Sequence, residues 1–195
     1  FDENNNAQLN DTGNIDSLIF LVEMQKNKIV PEEPTSALVS QLFNQNQVPL
    51  VINGPWFLGE IANNINYSIH PLPIVSKSGL PSKPFLTVEA AFLASQSDHK
   101  EGAIDVAEFL ASPKVAKIRA LEGRQSVATL SVYKDPTIQK DKVISAFKSQ
   151  LDAAVPLPNI PSMSSTWEPM GRALRRVSRG ALTPKAALDQ AQVEF

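Results

Sequence analysis

A short apolar run that ends in turn residues places the strongest limit on how this chain can fold. The run is Val48-Pro49-Leu50-Val51-Ile52, and Asn53-Gly54-Pro55 stops it. A run of this length between turn residues is typical of a buried parallel strand. Amphipathic helical patterns flank it, and strands that alternate with helices indicate an α/β fold. We therefore predict α/β as the fold class.

Apolar residues at spacings of three and four predict most of the helices. Ile15, Leu18 and Val22 form one such stripe, and Thr35 is a suitable N-cap for a second helix. Ser112-Pro113 and Thr183-Pro184 each combine a capping residue with proline at the first helical position. We predict further helices over residues 56–61, 100–111, 113–122, 137–153, 169–179 and 184–195. A second strand is predicted over residues 67–70.

Composition excludes several classes of protein. The chain has 195 residues, and 18 Lys+Arg against 20 Asp+Glu give a net charge of -2, so we expect no nucleic-acid partner bound by bulk charge. It contains no cysteine, which excludes disulfide frameworks, cysteine nucleophiles and thiolate metal sites. Its first residue is Phe1 rather than methionine, and no signal peptide follows. We therefore expect the chain to be one piece of a longer protein.

The residues needed for catalysis do not come together in the sequence. The two histidines, His70 and His99, are far apart, and neither has a metal ligand at helical spacing. The chain shows neither a nucleophile-elbow motif nor a glycine-rich phosphate loop. We predict that the protein is not an enzyme and needs no metal or organic cofactor.

Four arginines share one side of the predicted helix over residues 169–179. They are Arg172, Arg175, Arg176 and Arg179. This face has two interpretations. It can bind an anionic partner, or it can be a solvated face near a helix C-terminus, where cations are favoured by the helix dipole. The second interpretation needs no partner and is preferred.

The two tryptophans, Trp56 and Trp167, both lie where a loop enters a helix and close to a proline. An aromatic face in a cleft stacks well on the apolar face of a pyranose ring. The alternative is that both side chains pack in the core or against a lid. Spacing alone leaves both interpretations open.

Five motifs in order resemble the maltose/maltodextrin-binding proteins of ABC importers, an extracellular solute-binding protein family. The resemblance extends from about Asn14 to the C-terminus. The motifs are Ile52-Asn53-Gly54-Pro55-Trp56, Leu72-Pro73, Gly79-Leu80-Pro81-Ser82-Lys83-Pro84-Phe85, Ala107-Glu108-Phe109-Leu110, and Pro158-Asn159-Ile160-Pro161-Ser162-Met163-Ser164 before Trp167.

The resemblance implies a periplasmic-binding-protein-like fold with two α/β lobes, of which this chain is the C-terminal part. Residues 1–83 and 147–195 would belong to the C-terminal lobe, and residues 84–146 would complete the other lobe. In the family, tryptophans at the positions of Trp56 and Trp167 stack on glucose rings, and the residue at Leu157 touches sugar. Some members carry a sugar-binding arginine where this chain has Gly171, and Arg172, next along, is the candidate here.

The resemblance also implies a function and partners. The protein would bind a malto-oligosaccharide in an interlobe cleft and deliver it to ABC transporter permease subunits, in the periplasm or on the extracytoplasmic side of the membrane. The N-terminal half of the same binding protein would be a further partner. The alternatives are a scaffold or interaction module that keeps the fold without binding sugar, and a split fragment that binds only with its missing N-terminal half.

Overall fold

The computed structural model describes residues 1–151 and 153–195, which form two compact units. The first unit contains residues 1–39 and 158–195, and the second contains residues 40–157. The assignment of residues 1–83, 84–146 and 147–195 to lobes stays a prediction. In the described part of the chain, no helix has the length and apolar character needed to cross a membrane.

The helices of the first unit surround a small apolar core. They are α1 (Thr12–Lys26), α7 (Pro161–Ser165), α8 (Trp167–Ser178) and α9 (Pro184–Glu194), while α2 (Ser36–Asn44) begins in this unit and ends in the second. The core is formed by Ala7, Leu9, Ala173, Val177, Ala187, Leu188 and Ala191. The predicted stripe of α1 packs against it through Ile15, Leu18 and Val22. Small side chains on α8 and α9 allow these two helices to approach closely.

The second unit contains the remaining helices. They are α3 (Lys100–Ala111), α4 (Pro113–Leu121), α5 (Pro136–Lys140) and α6 (Lys142–Leu151), with two 3-10 helices, Pro55–Glu60 and Leu130–Lys134. Its core is formed by Ala116, Ala120, Val127, Val132, Ile138 and Ile144. The hydroxyl group of Tyr133 accepts a hydrogen bond from the Val127 amide at 3.1 Å and donates one to the Val127 carbonyl at 3.0 Å, which fixes the loop before the second 3-10 helix.

Four strands of two residues each form two small sheets in the described residues of the second unit. Strands β1 (Ile74–Val75) and β2 (Leu80–Pro81) pair antiparallel, with Ile74 opposite Pro81. Strands β3 (Phe85–Leu86) and β4 (Val155–Pro156) pair in parallel, with Phe85 opposite Val155. All four are exposed, so they do not form a buried central sheet.

Three local predictions are wrong. Residues 48–52 and 67–70 form no strand, and Leu50 has 85% of its surface exposed. Each run lacks a pairing partner among the described residues, and a strand is stable only when a neighbour takes up its backbone hydrogen bonds. The helix predicted over residues 137–153 is broken between α5 and α6. There the Asp141 carboxylate accepts hydrogen bonds from the Val143 and Ile144 amides, at 2.9 and 3.1 Å, and so begins a new helix.

Asp135 gives the second unit an acid-sensitive contact. Its carboxylate forms an ion pair with Lys117 on α4 at 2.5 Å and accepts a hydrogen bond from the Thr137 amide at 2.8 Å. The hydrogen bond from Lys117, followed by the one from Thr137, lowers the pKa of Asp135 below its usual value. Because the folded state favours the charged form, this carboxylate stabilises the fold above its unfolded-state pKa of about 3.9.

We expect the free energy of unfolding to fall as the pH drops below about 5 and through the lowered pKa of Asp135, and to fall less in Asp135→Asn than in the natural protein. Urea unfolding at several pH values measures both slopes. Asp105→Asn, at an exposed position of α3, is the matched control and should keep the natural slope. Equal slopes for Asp135→Asn and the natural protein would show that the contact with Lys117 does not persist in solution.

Candidate functional site

Trp56 lies on the surface of the second unit. It lies in the 3-10 helix Pro55–Glu60, directly after the Asn53-Gly54 turn, and 73% of its surface is exposed. A Cβ atom on Gly54 would lie 2.2 to 2.5 Å from three carbons of the six-membered ring of Trp56. Only glycine therefore allows the indole to lie against the backbone at residue 54, with the rest of its surface open to a ligand.

Two contacts with α2 fix the 3-10 helix that carries Trp56. The next residue, Phe57, is buried and meets Phe43 edge to face, with ring centroids 5.7 Å apart. The Asn44 side chain donates to the Glu60 carbonyl and accepts from the Ala62 amide, each at 2.8 Å. The exposed indole therefore rests on an anchored turn. Nothing local in the sequence indicates that Phe43 and Asn44 contact the segment that carries Trp56.

Trp167 is the first residue of α8, in the first unit, and 58% of its surface is exposed. The short helix α7 leads into it through Thr166, a buried residue whose hydroxyl donates to the Met163 carbonyl at 2.7 Å. Met163, before Trp167 in the chain, and Pro169, after it, are both buried. The backbone around Trp167 is thus fixed by the core, while the indole itself faces solvent.

The other two predicted site residues have different surroundings. Leu157 follows β4 and is half-buried, and its amide donates to the Leu86 carbonyl at 3.0 Å. Arg172 lies on α8, where its guanidinium contacts Glu194 at 3.0 Å and Glu168 at 3.4 Å. Trp167 and Arg172 therefore belong to the first unit, whereas Trp56 and Leu157 belong to the second.

Each arginine on the arginine-rich face of α8 contacts an acidic side chain. Arg172 and Arg176 contact Glu194 of α9, Arg175 contacts Glu168, and Arg179 contacts Glu33. The hydrogen bond from Arg179 lowers the pKa of Glu33. These pairs favour the interpretation of this face as a solvated, internally paired surface rather than a site for a polyanion.

The two histidines lie in different segments of the second unit. The Ser68 hydroxyl contacts His70 Nε2 at 2.8 Å, and both residues are exposed and two positions apart in one loop. His99 lies at the N-terminus of α3. Within residues 1–151 and 153–195, no group of three His, Cys, Asp or Glu side chains is placed to hold a metal ion. What the site offers is exposed aromatic surface on fixed backbone.

The chain matches a known protein family. Residues 1–117, more than half of the chain, match the family described as bacterial extracellular solute-binding protein. The chain is 35% identical to the galactooligosaccharide-binding protein of Bacillus subtilis strain 168 over 164 residues, which are 84% of this chain and 38% of that protein. It is 28% identical to the maltotriose-binding protein of Pyrococcus abyssi strain GE5 / Orsay over 130 residues, 65% of this chain and 29% of that protein.

Comparison with solved structures gives the same fold. A cyclo/maltodextrin-binding protein complexed with maltotetraose matches 95% of this chain and 48% of its own, with a TM-score of 0.79 and 28% identity. The maltose-maltodextrin binding protein of Alicyclobacillus acidocaldarius matches 99% of this chain and 52% of its own, with a TM-score of 0.90 and 24% identity. The chain thus spans about half the length of these structures and less than two fifths of the curated relatives. These likenesses confirm the predicted fold class, a periplasmic-binding-protein-like α/β fold of which this chain is a part.

Proposed function

Because the chain belongs to the bacterial extracellular solute-binding protein family, we propose that it binds maltose or maltodextrin for an ABC importer. One observation carries this proposal. Two tryptophans, Trp56 and Trp167, expose their indoles from backbone that the surrounding residues hold fixed. An exposed indole on fixed backbone offers apolar surface to a ligand, and the apolar face of a glucose ring fits it.

The four predicted residues have different proposed roles. Trp56 and Trp167 stack on sugar rings, and Leu157 contributes apolar contact. Arg172 donates to a sugar hydroxyl, for which its guanidinium has to give up part of its contact with Glu194. Its contribution to affinity is therefore expected to be smaller than that of either tryptophan.

A galactooligosaccharide is the second candidate ligand. The relative with 35% identity over 164 residues is a galactooligosaccharide-binding protein, whereas identity to the maltotriose-binding protein is 28% over 130 residues. Stacking on tryptophan does not by itself separate glucose from galactose, since both pyranoses have an apolar face.

The partners follow from the share of the relatives that the chain spans. We propose that residues 1–83 and 147–195 lie in one lobe and residues 84–146 in the other, and that the N-terminal half of the same binding protein completes the cleft. Exposed apolar side chains such as Leu50, Ile52 and Phe92 support this, because they are suited to packing against a further part of the fold. Hinge closure would then present the loaded protein to the ABC permease.

The family places the protein on the extracytoplasmic side of the membrane, and the periplasm is the proposed compartment. Solute-binding proteins carry their ligand without changing it, and we propose the same for this chain. The proposed role is therefore non-enzymatic, with neither metal nor organic cofactor.

Isothermal titration with maltotriose tests the proposal, on this chain alone and on the intact gene product that contains it. We expect saturable binding in the intact protein, and weaker or no binding in the chain alone if the N-terminal half completes the cleft. A parallel titration with galactotriose separates the two candidate ligands. Absence of heat with both sugars in the intact protein would contradict sugar binding and favour a scaffold role.

A further inference from the structure

One face of α8 carries Trp167, Gly171 and Arg175. Residues at spacings of four lie about 40° apart around a helix, so these three positions follow one another along one side. Side chains on a helix lean toward its N-terminus, which directs Arg175 back over Gly171 and toward Trp167. The structure shows this directly, because Arg175 Nη1 lies 3.4 Å from the place that a Cβ atom on Gly171 would take.

Gly171 leaves space on this face. Glycine within a helix destabilises it relative to alanine. Gly171 is half-buried, with the Arg175 guanidinium as its nearest neighbour within 4 Å outside the local backbone. The result is a shallow gap, with exposed indole at one end and exposed guanidinium at the other.

A carboxylate next to the indole completes the set. Glu168 directly follows Trp167, its side chain is exposed, and its Oε1 atom accepts from Arg175 Nη2 at 3.4 Å. A contact of this length between exposed groups is weak, so both keep hydrogen-bonding capacity for a ligand. Arg172 Nη1 lies at the same distance, 3.4 Å, from this carboxylate oxygen.

We infer that Arg175, paired with Glu168, is a further sugar-binding residue, which takes two adjacent hydroxyl groups of a neutral pyranose stacked on Trp167. The inference rests on the proposed function and deepens it. A guanidinium offers parallel N–H donors that match a pair of neighbouring oxygens, and the carboxylate accepts the hydrogen that a sugar hydroxyl donates. Trp167 supplies the apolar contact with the face of the sugar ring, and Arg175 and Glu168 form hydrogen bonds with hydroxyl groups at its edge.

The neighbouring arginines are less suited to this role. Arg176 lies about 180° around the helix from Trp167 and is bound to Gln190 at 2.6 Å. Arg172 contacts both Glu168 and Glu194, so its guanidinium is held toward α9. Arg175 shares with Trp167 the face that Gly171 leaves open.

Titration of maltotriose and galactotriose into the intact gene product tests the inference. We expect Arg175→Ala to weaken binding of the preferred sugar about ten-fold, as expected for the loss of hydrogen bonds from a charged donor. Arg175→Lys keeps the positive charge but lacks the paired N–H donors of the guanidinium. We expect its affinity to lie between those of Arg175→Ala and the natural protein. Arg176→Ala removes the same charge about 100° around the helix from Arg175, where the side chain is bound to Gln190. It is the matched control and should bind like the natural protein.

A second pair of variants tests the gap without removing a charge. Gly171→Ala adds a Cβ 3.4 Å from Arg175 Nη1, which leaves most of the gap open, and should weaken binding much less than Gly171→Leu. Gly171→Leu fills the gap, displaces the guanidinium and should bind about ten-fold more weakly. Thermal unfolding of each variant checks that it is folded.

The outcomes separate this inference from the proposed function. If Arg175→Ala binds like Arg176→Ala while Trp167→Ala loses affinity, the role of Arg175 is overturned and sugar binding stands. If the unsubstituted protein binds neither sugar, the proposed function is overturned, and the role of Arg175 with it.

Discussion

Replacing Trp56 or Trp167 with alanine is expected to weaken oligosaccharide binding by about ten- to fifty-fold in each case. The estimate follows from the apolar area that a sugar ring covers on an indole, at about 25 cal/mol per Å² over roughly 60–90 Å². Both indoles already sit on fixed backbone, so little ordering on binding offsets this gain. Isothermal titration with maltotriose and galactotriose on the intact gene product measures the loss.

One control variant and one further test variant show whether the loss in Trp56→Ala is specific to the indole. Phe109→Ala removes another exposed aromatic side chain from the second unit and should leave affinity unchanged. Gly54→Ala keeps the indole but places a methyl group where the ring now lies, so the ring has to move. We expect Gly54→Ala to weaken binding about as much as Trp56→Ala. Natural affinity in both Trp56→Ala and Trp167→Ala would contradict the stacking site.

Helix boundaries could be predicted well where the signal is local. The Ser112 hydroxyl accepts from the Val115 amide at 3.4 Å, and the Thr183 hydroxyl accepts from the Ala186 amide at 3.3 Å, so both predicted caps are confirmed. Each cap depends on residues within three positions of each other. The helix over residues 100–111 has the predicted bounds for the same reason.

Strands could not be predicted as well, because they depend on residues distant in sequence. Residues 48–52 have the composition of a buried strand, yet no described residue pairs with them, and Leu50 and Ile52 are exposed. The strands that do form, β3 and β4, join residues about 70 positions apart. Apolar composition indicates that a segment suits a strand, but it does not supply the neighbour that makes it one.

In the candidate site too, features that are local in the sequence could be predicted, whereas contacts between distant residues could not. The motif around Asn53-Gly54-Pro55 singled out Trp56, and the structure adds the reason for its glycine, which is close contact with the indole. The support that Asn44 gives to the turn depends on a contact sixteen positions away, which no periodicity indicates. The sequence alone indicates only that Arg175 is one of four arginines on a helix. Its position over Gly171 depends on a side-chain conformation, which a sequence pattern does not contain.

Leu188→Ala is expected to have the largest effect on stability, with a loss of about 3–5 kcal/mol in the free energy of unfolding of the first unit. Leu188 is fully buried, and the core around it includes Ala173, Ala187 and Ala191. These small side chains have no flexible ends that can move into the space, so the cavity stays open and its full cost is felt. The upper part of the usual range for Leu→Ala is therefore expected.

Urea unfolding followed by Trp167 fluorescence measures this loss, in a Trp56→Phe background so that the signal comes from the unit that contains Leu188. Val193→Ala is the matched control, since it truncates an exposed side chain on the same helix and should change stability by less than about 0.5 kcal/mol. A loss below about 1 kcal/mol for Leu188→Ala would mean that α8 and α9 close over the cavity. The core of the first unit would then owe its stability to the contacts between the alanine-lined helix backbones and its other apolar side chains rather than to Leu188.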